Sequence, residues 1–151
     1  MINIRPAEVR DCSSMMALIH ELALYEKAPE EVTVSFEHFV DSGFGEHPVW
    51  EAWVAVDEKD TVVGFAVCYI RYSTWKGQRL YLEDLLVTEQ MRGRGIGALL
   101  MDELINICKQ RKYSGLVWQV LDWNEPAINF YKKYNANFDG GWINCSISFQ
   151  S

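Results

Sequence analysis

Residues 80–98, LYLEDLLVTEQMRGRGIGA, carry the reading that decides the fold. An apolar run from Leu80 to Val87 ends in a short polar turn. Arg92-Gly93-Arg94-Gly95-Ile96-Gly97 follows and opens an amphipathic helix pattern. A strand, a glycine-rich turn and a helix in that order make an anion cradle. Glycine lets the backbone approach a ligand closely, and a helix N-terminus presents N–H groups that have no partner inside the helix. The segment predicts a grip for a phosphate.

Upstream, Ile2 to Arg5 alternates like a short strand. Asp11 is placed to cap a helix reaching about Lys27, with Met15, Leu18, Ile19, Leu22 and Tyr25 as its apolar stripe. Ser35 caps a shorter helix carrying Phe36, Phe39 and Val40, which Gly43 and Gly45 are expected to break. Trp50 to Val56 and Thr61 to Tyr72 read as a hairpin around Glu58-Lys59-Asp60, and Arg79 to Val87 as the next strand. Downstream, Gly95 to Lys112 is a helix with Leu99, Leu100, Leu104, Ile105 and Cys108 on one face. Leu116 to Leu121 is a strand, and Glu125 to about Tyr134 a helix capped by Asn124 with Pro126 in its first turn. Short strands near Asn137 and at Trp142 to Phe149 complete the order βααβββαβαββ. An antiparallel hairpin followed by strand–helix–strand units predicts an α/β fold, a mixed central sheet with helices on both faces.

The chain has 151 residues, which fits a single domain over 1–151. No stretch reaches the roughly 18 uncharged apolar residues of a membrane span, and Met1 to Arg5 lacks the apolar core of a secretory signal. Cys12, Cys68, Cys108 and Cys145 are scattered without a CxxC pair, so reduced thiols and a cytoplasmic location are expected. His20, His38 and His47 show no metal-ligand spacing, and no metal is expected. The net charge of −7 repels nucleic acid and anionic membrane and attracts cations. One ligand is then an anion held by local geometry, and a second is a cation drawn by the overall field.

Three glycine-rich phosphate grips compete for the 92–98 turn. A P-loop requires Gly-Lys-Ser/Thr, which does not occur. A dinucleotide fingerprint can be forced as Gly93-x-Gly95-x-x-Ala98, but Thr88 to Met91 separate it from its strand and only about 50 residues follow. Arg92-x-x-Gly95-x-Gly97 fits the third without forcing. It resembles the Q/R-x-x-G-x-G/A signature of GNAT N-acetyltransferases, and the order βααβββαβαββ resembles theirs too.

Four segments narrow the resemblance: Gly43-Phe44-Gly45-Glu46-His47-Pro48, Leu80-Tyr81-Leu82-Glu83-Asp84, Arg92-Gly93 with Gly95-Ile96-Gly97, and Trp123-Asn124-Glu125-Pro126 with Ile128-Asn129-Phe130-Tyr131-Lys132. Together they are similar to the spermidine/spermine (diamine) acetyltransferase family, which includes relatives acting on thialysine. The similarity runs from about Ile4 to Trp142. It departs at Asn135, where the family tends to have glycine, and in a tail that ends at Ser151 without the family's extension.

The resemblance implies transfer of acetyl from acetyl-CoA directly to a primary amine of a small cation, such as a polyamine, diamine or thialysine. Protein amino groups, another small amine, or a non-catalytic acyl-CoA-binding regulator are the alternatives. An alkylammonium has a pKa of about 10.4, so freeing the amine near pH 7.4 costs roughly 4 kcal/mol unless a base assists. Glu83 is the expected base. On a regular strand it shares one face with Tyr81, Leu85 and Val87, while Asp84 points to the other and is left for a structural partner. Tyr131 is the expected proton donor to the departing thiolate, as the resemblance implies. Arg92, Gly93, Arg94, Gly95, Ile96, Gly97 and Ala98 are expected on the pyrophosphate, Leu85, Leu86 and Val87 on the pantetheine amides, and Asn124 and Ala127 on the cofactor. Tyr25, Glu26 and Trp75 match positions along the family's amine path, while Glu30 and Glu31 add field only. The family also implies a homodimer.

Overall fold

In the computed structural model, which describes residues 1–149, β1 (Asn3–Pro6), β2 (Glu51–Val56), β3 (Val62–Ser73), β4 (Gly77–Val87) and β5 (Leu116–Trp118) form one sheet in sequential order. The first three pairings are antiparallel and β4–β5 is parallel, so the sheet is mixed as expected. The helices are α1 (Cys12–Tyr25), α2 (Phe36–Phe44), α3 (Ile96–Arg111) and α4 (Glu125–Lys132). Two compact units divide the chain: Met1–Gln119 holds the sheet with α1 to α3, and the segment from Val120 onward holds α4.

Period-2 alternation sorts the sheet side chains onto two apolar faces. Ala52, Val54 and Val56 of β2 pack with Phe65 and Val67 of β3 and Leu86 of β4 against Met15, Met16 and Leu18 of α1 and Phe39 of α2. The alternate residues Trp53, Ala55, Ala66 and Cys68 are buried on the opposite face. There α3 buries Ile96, Leu100, Met101, Leu104, Ile107 and Cys108. Helices thus cover both faces, which keeps the strands almost wholly apolar.

Local details depart from the sequence reading. Asp11 stands at the N-cap position of α1 but makes no side-chain cap there; its carboxylate takes two hydrogen bonds from Arg5 (2.8 and 2.9 Å) and one from the Glu8 N–H (2.8 Å), the last as part of a capping box on the short turn Val9–Asp11. Ser35 does cap α2, accepting from His38 N at 3.1 Å. Gly43 does not break that helix. A Cβ there would lie 2.3 Å from the Trp50 indole, so the glycine serves close packing, and α2 ends at Gly45. On α3 the buried stripe is rotated from the expected one: Leu99 is 43% exposed, while Met101 and Ile107 are inside.

The two expected final strands do not form. Residues near Asn137 and from Trp142 to Phe149 are irregular, and Trp142, Ile143, Ile147 and Phe149 are 82 to 88% exposed. Alternation alone does not make a strand, because the backbone N–H and C=O groups need a neighbouring ladder. β5 likewise stops at Trp118 instead of Leu121.

Candidate active site

β4 leads into the anion cradle through one turn of tight helix at Glu89–Met91. Gly93 and Gly95 both adopt φ of +79°, the left-handed region that glycine enters without strain. A Cβ at either would meet no atom within 4 Å, so these glycines serve backbone shape and leave the concavity open. Gly95 is the N-cap of α3, and no side chain caps the helix. The positive end of the helix dipole lies at this turn, where it favours an anion. Ile96, 2% exposed, anchors the first turn in the core. Arg94 is exposed and has no hydrogen-bond or ion-pair partner among the described residues. Arg92 is held: its Nε donates to the Val87 carbonyl at 3.0 Å, and its guanidinium lies 5.5 Å from the Tyr25 ring centroid.

Immediately upstream, β5 pairs with β4 only from Leu80 to Leu82, opposite Leu116 to Trp118. Beyond Leu82 the two parallel strands part. Leu85, Leu86 and Val87 remain paired with Ala66, Phe65 and Gly64 of β3, while their other backbone edge has no strand neighbour among the described residues. An extended amide-bearing ligand fits there as an added strand. Opened edge, unfilled cradle and uncapped helix follow one another, and together they fit the pantetheine and pyrophosphate of a coenzyme A thioester.

At Glu83 the strand is irregular. Asp84 pairs with Val67 and Leu82 with Cys68, so Glu83 is the extra residue of a bulge. The bulge corrects the expected side-chain alternation. Tyr81 pairs with Tyr69 (ring centroids 5.1 Å apart) and shares the α1 face with Asp84, while Leu85, opposite Ala66, is on the other face. Tyr81 and Leu85 therefore do not share a face.

The carboxylates are correspondingly coupled. Burial first, then the charges of Glu83 and Glu26, push the Asp84 carboxyl up to about 6. Burial also raises Glu26. Tyr69 and Tyr81 are raised by burial and next by the Glu83 charge. The charges of Glu83 and Glu26 thus both act on Asp84, a residue for which the sequence suggests only a structural partner. Its signal was present in the Glu-Asp dipeptide, but only the bulge and the cover of α1 make it visible.

The Tyr25 ring lies against the Arg92 guanidinium at the turn, 5.5 Å from centroid to Cζ. Trp75, 93% exposed, sits in the β3–β4 turn, where Ser73 Oγ accepts from the N–H groups of Trp75 (3.2 Å) and Lys76 (3.0 Å). Six residues separate Gly77 from Glu83, about 20 Å of strand. Trp75 is thus not brought to the acidic group by β4. In the unit after Val120, Asn124 caps α4 by accepting from Ala127 N at 3.3 Å, and Pro126 occupies the first turn. Tyr131 is buried on that helix with its ring edge-on to Phe130 at 5.4 Å.

A mixed sheet whose parallel strands part beside a glycine-capped helix is the architecture of acyl-CoA-dependent N-acetyltransferases. Residues 14–136 match the Acetyltransferase (GNAT) family, and the chain belongs to that family. GNAT acetyltransferases use acetyl-CoA as co-substrate, and this chain is an N-acetyltransferase. It is 38% identical over 142 residues to the thialysine N-epsilon-acetyltransferase of Bos taurus, covering 89% of this chain and 84% of the relative. It is 33% identical over 148 residues to the human spermidine/spermine N(1)-acetyltransferase-like protein 1, covering 92% of this chain but 21% of that longer protein. An integron cassette protein from V. cholerae superposes with a TM-score of 0.79 at 25% identity, over 98% of this chain and 93% of the other. Among the described residues, no group of three or more His, Cys, Asp or Glu side chains is arranged to hold a metal ion, and no helix is long and apolar enough to cross a membrane.

Proposed function

We propose that this protein, as one domain over 1–151, transfers acetyl from acetyl-CoA to a primary amine of a small cation of the thialysine or polyamine/diamine type. The acidic side chains Glu83 and Glu26, whose charges act on Asp84, carry this reading, beside a β4 edge left without a strand neighbour among the described residues and in a chain of net charge −7. Thialysine and polyamine acetyltransferases among its relatives support the acceptor class.

In this reading Arg92 to Ala98 hold the pyrophosphate, Leu85 to Val87 the pantetheine amides, and Asn124 and Ala127 complete the cofactor contacts. Acetyl-CoA supplies the activated thioester. Glu83 binds the ammonium and takes its proton, directly or through water. The freed nitrogen bonds to the acetyl carbon, the carbon–sulfur bond breaks, Tyr131 delivers a proton to the sulfur, and the second proton shed by the nitrogen restores the Tyr131 hydroxyl. Glu26 lies on the acceptor path. Trp75 lies on the same path, and the protein acts as a homodimer. The enzyme works in the cytoplasm, without a metal.

A second reading assigns the base to Asp84, whose carboxyl near 6 is better matched to proton transfer at neutral pH. Thiol release from acetyl-CoA across spermidine, putrescine, thialysine and a lysine peptide tests the function. Turnover with the small amines and not the peptide is expected. Cofactor binding without turnover of any amine would leave an acyl-CoA-binding regulator, and preference for the peptide would move the acceptor to proteins.

A further inference from the structure

Glu21 belongs to none of the assignments above, yet it joins α1 to the cradle at three points. Its Oε1 accepts from Thr88 Oγ1 at 3.0 Å. Its Oε2 accepts from the Glu89 backbone N–H at 3.0 Å and lies 3.5 Å from the Arg92 guanidinium. One helical turn further along α1, Tyr25 sets its ring against the same guanidinium. With the Arg92 Nε bond to Val87, these contacts fix both the entry of the turn and its first cation.

An isolated surface ion pair contributes little. Here both carboxylate oxygens are used, the donors come from three residues of one turn, and two of the bonds are not to a cation. A negative charge beside an anion site also opposes the anion, so the feature cannot act by attracting the ligand. What it supplies is preorganisation: the turn is held in shape without cost at the moment of binding.

We propose that Glu21 is a positioning residue for coenzyme A, setting the Thr88–Arg92 turn in its phosphate-gripping conformation. The proposal rests on Arg92 to Ala98 being the pyrophosphate grip. Calorimetric titration with coenzyme A and with pantetheine, which lacks every phosphate, separates the two claims. Wild-type protein binds coenzyme A much more tightly than pantetheine; equal affinity would overturn the grip itself before any variant is made. Glu21→Ala is expected to weaken coenzyme A about tenfold, leave pantetheine unchanged and shift the unfolding midpoint by no more than about 2 °C. Glu21→Gln, which keeps one accepting oxygen, recovers part of the affinity. Equal weakening of both ligands, or lost stability with unchanged coenzyme A affinity, would make Glu21 a structural contact only and overturn the positioning role.

Discussion

At its C-terminal end β4 runs into a turn whose positive φ values its own glycines supply, whereas at Glu83 the shape of the strand is set in register with β3. The cradle needs two positive φ values and an uncapped helix start, and Gly93, Gly95 and the α3 pattern provide these locally. The acidic group needs a bulge, the cover of α1 and two neighbouring charges, none of which is local. The comparison teaches that the φ values of a turn can be supplied by adjacent glycines, while acidic side chains come near one another here only through tertiary packing.

Glu83→Gln tests the sharpest form of that division. It is expected to lower turnover by about 10²- to 10⁴-fold, the usual worth of a general base, with coenzyme A affinity unchanged. Equal losses in turnover and cofactor affinity would show that the two ends of β4 are not separate tools.

Asp84→Asn comes next, read through the pH dependence of stability. The folded Asp84 carboxyl lies near 6, above its ordinary 3.8, so the folded state favours the neutral form. Its contribution is complete below the unfolded value and is lost as pH rises through about 6. Removing the ionisable group is therefore expected to stabilise the protein above pH 6 by no more than about 3 kcal/mol, with little change at pH 4. Urea titrations at the two pH values check this. A variant less stable at pH 8 would mean that the charge is compensated and the acidic group is not strained.

The smallest effect is expected at the cradle. Gly95→Ala forces a Cβ into the left-handed region, at about 1 to 2 kcal/mol. Relief of that strain distorts the start of α3, and coenzyme A affinity should fall about tenfold while the rate at saturating cofactor holds. An unchanged affinity would mean that the glycine conformation is incidental to the ligand.

Much of this molecule was legible from local chemistry. The β4–turn–α3 junction and the Ser35 and Asn124 caps depend on contacts within a few residues, and the structure has them all. The failures share the opposite property. Gly43 was read as a breaker because the Trp50 ring that fills its Cβ position comes from beyond the helix. The tail from Trp142 alternates as a strand would, but it has no ladder to join among the described residues. The contact of the Tyr25 ring with Arg92 joins α1 to the turn and is likewise not local to either segment.

By itself the sequence determined a mixed α/β fold, a glycine turn between strand and helix and an acidic residue on the same strand, because glycine stereochemistry, helix starts and side-chain periodicity are properties of adjacent residues. Only the tertiary structure decided that Asp84 is the perturbed carboxyl and that Glu21 reaches the turn from α1. Desolvation and charge coupling depend on what packs over a side chain, and that is supplied by residues far away in the chain.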